Sequence, residues 1–352
     1  MIASEPTLDK DVEARASCSA TCRESVIKTS AAFVIAALCC ASSANAFDRS
    51  RPEVKSFIDD TAKEFALDRQ AISDLLAQAE TKQAILDAIS RPAERVIPWF
   101  EYRDRFLVER RIQQGADFWV ANAQSLDSVR DPGIALTIAG ILGVETSYGR
   151  ITGRYRVVDA LATLAFDYPP RAPFFRGELQ QFLLLTQEEQ VDPKAALGSY
   201  AGAMGIPQFI PTSYRRYAID GDGDGKRDLW SSWQDVISSV ANYLRVHGWR
   251  EGEPVVVNAT LADKDLSRFN VATIALNETV RSLRDKGVTF STQQPDDAPA
   301  MLVVLQGKDG PEFRVGFTNF YVITRYNRST MYALAVHELG NAIQGFMQDV
   351  KR

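Results

Sequence analysis

The sequence predicts an α+β protein: a mainly helical body, a small sheet inserted late, and a closing helix. Three patterns carry that reading. Apolar residues recur at helical spacing through most of the stretch from Arg51 to Val246. The spacing then changes to period two in Pro254–Val257, Met301–Leu305, Phe313–Phe317 and Phe320–Ile323, which read as short strands. Helical spacing returns from Thr330 to Asp349. At 352 residues the chain can bury a large core. No repeat or long linker divides it, so the expected layout is a segment 1–46 followed by one region 47–352. Within that region the helical body spans 47–250, the sheet 251–326 and the last helix 327–352.

The N-terminal segment is read apart from the fold. Lys28, the apolar run Ala31–Leu38 and the small-x-small site Ala44-Asn45-Ala46 together describe a secretory signal, too short to span a membrane. Cleavage after Ala46 would leave Phe47 first. Met1–Ser25 mixes acids with bases, which suits the start of a signal poorly and leaves open a true start near Val26. All four cysteines (Cys18, Cys22, Cys39, Cys40) precede that site, so neither disulfides nor a thiol nucleophile serve the mature chain. A lipid anchor on Cys39 or Cys40 fits less well than a soluble exported protein, because Leu38 and Cys39 are not small residues. The whole chain carries a net charge of −5 and the segment before Phe47 holds 4 basic and 5 acidic residues, leaving −4. That is too mild to suggest nucleic acid or an anionic membrane as partner.

Element by element, Asp68 and Thr81 stand where N-caps belong, with Pro52 and Pro92 as punctuation. A loop is expected around Ile97–Tyr102, then a helix from Gln114 to Leu126. The next helix, Asp131–Val144, is almost wholly apolar and so belongs in a core. After it come Ala160–Phe166, a Pro-rich turn Tyr168–Pro173, and an apolar helix Gly177–Glu188. The Gly/Ala segment Gly198–Gly205 marks backbone packed closely against a helix or a ligand. Asp235–Val246 is helical and carries Tyr243.

Glu145 ends the apolar helix, and desolvation there favours its neutral form, the state required of a general acid near neutral pH. The bland alternative is a glutamate emerging at the surface where its helix ends. Asp220-Gly221-Asp222-Gly223-Asp224-Gly225 opens like an EF-hand calcium loop, with carboxylates at positions one, three and five and a glycine for the turn. Lys226 at position seven would offer only its carbonyl. Position twelve is Ser231 rather than glutamate, so Asp235 is the candidate to close the site, and Asp228 could also contribute. With no cysteine and only His247 and His337, zinc is not expected.

Taken together, these motifs resemble the membrane-bound lytic transglycosylase B family. The marks are Gly143-Val144-Glu145-Thr146, the run Ala201–Pro211 with Ser213-Tyr214, Asp228-Leu229-Trp230, Ala241-Asn242-Tyr243 and Asn319–Asn327. The resemblance extends from about Trp99 to about Gly345. It implies a goose-type lysozyme-like core that cuts peptidoglycan between N-acetylmuramic acid and N-acetylglucosamine and leaves a 1,6-anhydromuramic end. By matching motif positions, Glu145 would be the single acid/base. Ser199, Gln208, Tyr243, Tyr326, Asn327 and Tyr332 would line the cleft, with Tyr102 and Arg171 further along it. Asp220, Asp222, Asp224, Lys226 and Asp235 would hold a structural calcium ion, and no organic cofactor is expected. Anchored members carry a lipidated cysteine, so this chain resembles the soluble periplasmic variants, working on glycan strands as a monomer. The rivals are a hydrolytic muramidase of the same fold and a non-catalytic peptidoglycan-binding protein. A calcium sensor is disfavoured because sensors pair their loops. For each accessory tyrosine the bland reading is a half-buried core residue. Ser199 and Gln208 could merely satisfy turn backbone, and Arg171 could be a solvated surface charge.

Overall fold

The computed structural model describes residues 47–90 and 97–350; the proposed signal and Pro92 lie outside them. Short helices with locally written ends build the first part. α1 (Pro52–Phe65) starts on proline and stops at Ala66 in the left-handed region, φ 52°. α2 (Arg69–Ala77) is capped by Asp68, whose carboxylate accepts from the N–H groups of Gln70 and Ala71. Thr81 is not the cap of α3 (Gln83–Ser90). Its hydroxyl donates to Asp167 at 3.0 Å, and the Lys82 carbonyl accepts the first-turn bonds instead.

The expected loop at Ile97–Tyr102 is largely helical: Pro98 leads into α4 (Trp99–Asp104), whose Trp99 is buried. Gln114–Leu126 is two helices rather than one, α5 (Glu109–Ala121) and α6 (Ala123–Ser128), broken at Asn122. α7 (Pro132–Thr146) begins under an Asp131 cap and buries Ile134, Ile138, Ile141 and Leu142 completely. Each such side chain contributes roughly 1.5–3 kcal/mol of transfer free energy.

β1 (Tyr155–Arg156) and β2 (Leu197–Gly198) form a small antiparallel ribbon around α8 (Val157–Asp167) and α9 (Ala172–Glu188). α10 (Pro211–Tyr217) and α11 (Trp233–Val246) flank the acidic loop. The sheet follows, with β3 (Val256–Leu261), β4 (Glu278–Thr279), α12 (Val280–Asp285), β5 (Val288–Thr289), β6 (Pro299–Gly307) and β7 (Gly310–Gly316). Its order is β4-β6-β7-β3-β5, antiparallel throughout. Alternation along β6 explains its two-sided burial. Ala300 and Leu302 join a small cluster with Val280, Leu283 and Phe313, while Met301, Val303 and Leu305 face the main core.

Phe320–Ile323, expected as a strand, lies inside α13 (Thr318–Tyr326). Fully buried Asn319 turns the chain there, accepting from the Arg250 N–H at 2.8 Å and donating to the Arg250 and Glu253 carbonyls. Burial of Asn319, Phe320, Ile323 and Thr324 then follows helical spacing. α14 (Thr330–Val350) closes the chain against α7. The two helices meet backbone to backbone. A Cβ on Gly140 would lie 2.1 Å from the Val336 carbonyl oxygen, and one on Gly340 would lie 2.5 Å from that of Leu136.

Candidate active site

That crossing places Glu145, in the last turn of α7, opposite Tyr332, in the first turn of α14. The Tyr332 hydroxyl donates to Glu145 Oε1 at 2.7 Å. Glu145 is half-buried, and burial pushes its carboxyl from the ordinary 4.5 up to about 7, while the Tyr332 hydrogen bond pulls it down. Tyr102, Tyr326 and Tyr332 feel its charge; burial first, and then Glu145, push all three phenols up, Tyr102 to about 12. The carboxyl thus faces a tyrosine-rich wall drawn from α4, α13 and α14.

The Gly/Ala segment forms the floor beside it. Met204 and Phe209 exchange backbone hydrogen bonds at 2.8 and 3.1 Å, and the Ile206 N–H bonds the Leu229 carbonyl at 2.8 Å. Thr146, immediately after Glu145, ties the helix end to this floor by donating to the Ile206 carbonyl at 2.9 Å. Gln208 sits at φ 53° and donates through Nε2 to the carbonyls of Thr152 and Gly205, both at 2.9 Å. Ser199 Oγ accepts from the N–H groups of Ala201 and Ala203. Both residues therefore organise turn backbone, whatever else they meet.

Tyr326 donates to the Pro207 carbonyl at 2.6 Å and Tyr243 to the Arg325 carbonyl at 2.7 Å. The Tyr243 and Tyr326 rings lie 4.9 Å apart, edge to face, and each packs on Phe209 at 5.7 Å. Asn327 follows the last residue of α13 in extended backbone. Arg171 stands apart from this group, its guanidinium over Phe174 at 4.4 Å and Phe175 at 5.2 Å. Sequence reasoning quoted Thr146 in its motif without a role, and missed the pair Arg103–Glu338, 2.6 Å, which ties α4 and its Tyr102 to α14. No local pattern announces either, because their partners lie 60 and 235 residues away.

The carboxylates that follow Glu145 in sequence are committed elsewhere. Asp159 is buried, paired with Arg156 at 2.8 Å, and accepts the Glu80 N–H at 2.9 Å. Asp167 is shared between Arg51 and Thr81.

The acidic loop gathers a second site. Ligand atoms of Asp220, Asp222 and Asp235 lie within 4.8 Å of one another. Asp220 accepts from Gly223 at 2.6 Å and from Gly225 at 2.9 Å, which folds the loop back on itself. Asp235, fully buried in the first turn of α11, accepts from Gly221 at 2.7 Å and Asp228 at 2.6 Å. Asp224 falls outside the group of three; its carboxylate accepts the Lys226 N–H at 2.8 Å. Ser231 and Trp230 donate their N–H groups to the Asp228 carboxylate, which thereby organises the turn before α11. Three converging carboxylates, with oxygen donors only, suit a hard divalent cation of calcium's size.

Residues 49–341 match the transglycosylase SLT domain model. The chain belongs to the lytic transglycosylases. It is 39% identical over 315 residues to membrane-bound lytic murein transglycosylase B of Escherichia coli strain K12, covering 84% of this chain and 83% of that one. Among solved structures, catenated lytic transglycosylase SltB1 of Pseudomonas aeruginosa superposes with TM-score 0.81 at 47% identity, covering 84% of this chain and 97% of that one. The Escherichia coli lytic transglycosylase Slt35 in complex with calcium gives TM-score 0.74 at 38% identity, covering 85% and 95%. This transglycosylase therefore has the lysozyme-like fold of those enzymes, mostly helical with a small sheet. Among the described residues, no helix is long and apolar enough to cross a membrane.

Proposed function

We propose that this lytic transglycosylase cleaves the β-1,4 bond between N-acetylmuramic acid and N-acetylglucosamine with Glu145 as its single acid and base, leaving a 1,6-anhydromuramic end. The observation that carries this is the Glu145 environment: a carboxyl pushed up to about 7 by burial and bonded by Tyr332, while Asp159 and Asp167, the acids that follow it along the chain, are paired with arginines. A glycosidase that uses two carboxylates sets both beside the bond. One suffices if the substrate supplies the rest.

Because Tyr332 donates to Oε1, the acidic proton resides on Oε2. Glu145 passes it to the glycosidic oxygen, and the bond to C1 breaks as the 2-acetamido oxygen of the muramic residue closes on C1. The carboxylate then removes the proton of the C6 hydroxyl. O6 attacks C1, the C1 bond to the acetamido oxygen breaks, and Glu145 is again protonated for the next turn. The internal nucleophile competes well with water because its effective molarity is large. Tyr243, Tyr326, Tyr332 and Tyr102 offer faces on which sugar rings pack. Ser199, Gln208 and Asn327 line the same cleft, and Arg171 contributes from further along it.

Calcium would be bound by Asp220, Asp222 and Asp235, with Asp224 and the Lys226 carbonyl completing the shell, and would brace the loop between α10 and α11. The relative solved with calcium supports that reading. Export to the periplasm with cleavage after Ala46 fits the murein substrate named for the Escherichia coli relative.

Digestion of purified sacculi followed by mass spectrometry tests the reaction. Anhydro ends, one water lighter than reducing ends, are expected. Reducing ends would identify a hydrolase, and absence of soluble fragments a binding protein.

A further inference from the structure

The backbone that leaves α7 winds the opposite way from the helix. Ser147, Tyr148 and Gly149 follow one another in the left-handed region, at φ 49°, 60° and 76°. Two of the three carry side chains that disfavour it, and such strain persists only where packing over-determines it. Here the Ser147 N–H returns to the Gly143 carbonyl at 3.3 Å and the Tyr148 N–H to that of Leu142 at 3.0 Å. The Tyr148 ring is buried and stacks on Phe118 of α5, centroids 5.4 Å apart at 22°.

The Tyr148 hydroxyl ends in the crevice between α5 and α7. A Cβ on Gly115 of α5, or on Gly143 of α7, would sit 2.5 Å from that oxygen. Arg111, one turn before Gly115, donates to the Gly143 carbonyl at 3.1 Å and so closes the same crevice. Among the described residues, the Tyr148 hydroxyl itself has no hydrogen-bond partner. The ring, then, fills a slot that two glycines keep open, and its hydroxyl gains no bond by being there.

We infer that Tyr148 is a positioning residue for Glu145, a reading that rests on Glu145 being the acid and base. Helical side chains lean toward the N-terminus, so a residue three places on covers the face of the one before it. Had α7 continued, Tyr148 would lie over Glu145. The left-handed turn swings the ring into the α5–α7 slot, leaving the carboxyl open to substrate and to Tyr332. Wedging the ring in that slot fixes where the last turn of α7 ends.

The test is kinetic. Tyr148→Ala, assayed at a temperature where circular dichroism shows it folded, should lower kcat roughly 10- to 100-fold with KM within about twofold, as expected for misplacement of a reacting group. The basic limb of its kcat/KM profile should move as well, because a displaced last turn of α7 alters both the burial of the carboxyl and its bond from Tyr332. Tyr148→Phe keeps the ring and should restore both rate and profile. If Tyr148→Ala does not fold, Tyr148→Leu serves, since it keeps apolar bulk in the slot but loses the flat ring stacked on Phe118. It should slow turnover as Tyr148→Ala does. Unchanged kcat and pH profile in folded Tyr148→Ala, or in Tyr148→Leu where only that variant folds, would overturn the inference. Glu145→Gln measured alongside separates the two readings: if it stays active, the acid/base assignment has failed rather than the positioning role.

Discussion

Tyr332 and Glu145 are 187 residues apart in the chain and 2.7 Å apart in the fold. The hydroxyl can reach because α7 and α14 touch at glycines, Gly140 against the Val336 carbonyl and Gly340 against that of Leu136. The bond opposes burial: burial favours the neutral carboxyl, and a donor aimed at Oε1 favours the anion. Removing the donor should therefore raise the Glu145 pKa above about 7. Tyr332→Phe is expected to move the basic limb of kcat/KM to higher pH and to lower kcat. A limb that stayed in place or moved to lower pH would contradict the assignment.

Glu145→Gln should keep the fold and lose about 10²- to 10⁴-fold in turnover, the usual worth of a positioned acid–base group. It should also change stability with a definite sign. The folded pKa is raised from 4.5 to about 7, so the contribution of Glu145 to stability is fully present below 4.5 and is lost as pH rises through 7. Glutamine does not titrate. The variant should match the parent at acid pH and exceed it at pH 8, by at most roughly 3 kcal/mol. Denaturant melts at the two pH values read this directly; a gain at acid pH alone would have the wrong sign.

Gly140→Ala probes the crossing. Its methyl carbon would lie 2.1 Å from a backbone oxygen of α14, which cannot swing aside as a side-chain tip does. Separating the helices should cost on the order of 1–3 kcal/mol and weaken the Tyr332 contact. Melting temperature and turnover should fall together. A variant as stable and active as the parent would show that the crossing does not set the site.

Local chemistry made part of this legible in the sequence. Asp131-Pro132 followed by a run apolar but for Thr137 describes α7, and D-x-D-x-D-G describes the acidic loop. Short apolar runs misled. Phe320–Ile323 reads equally as strand or helix over four residues, and buried Asn319, bonded to Arg250 and Glu253, decides for the helix. Thr81 looked like a cap, but a distant carboxylate, Asp167, takes its hydroxyl. The pairs that shape the site, Tyr332 with Glu145 and Thr146 with Ile206, are set by helix crossing and loop docking. Such pairings leave no periodic trace along one chain.

The acidic loop should depend on calcium for stability rather than for chemistry. Asp220, Asp222 and Asp235 converge within 4.8 Å, and a bound cation would offset their mutual repulsion more fully than the N–H groups they accept from. Asp235 also holds the loop from α11 through the N–H groups of Gly221 and Asp228, so occupancy of the site should stiffen the α10–α11 connection. An ion that binds only the native state adds RT ln(1 + [Ca²⁺]/Kd), roughly 2.7 kcal/mol at a hundredfold excess over Kd. Calcium should accordingly raise the melting temperature and leave turnover at low temperature nearly unchanged, because the bonds that Glu145, Tyr243, Tyr326 and Tyr332 make among the described residues run to one another, Pro207 and Arg325 rather than to the loop. Asp222→Ala should abolish the shift while keeping the loop-bracing contacts of Asp235. Asp224→Ala should weaken it less, since Asp224 lies outside the converging three. Turnover strictly proportional to calcium occupancy in a fully folded sample would make the ion catalytic and refute the bracing role.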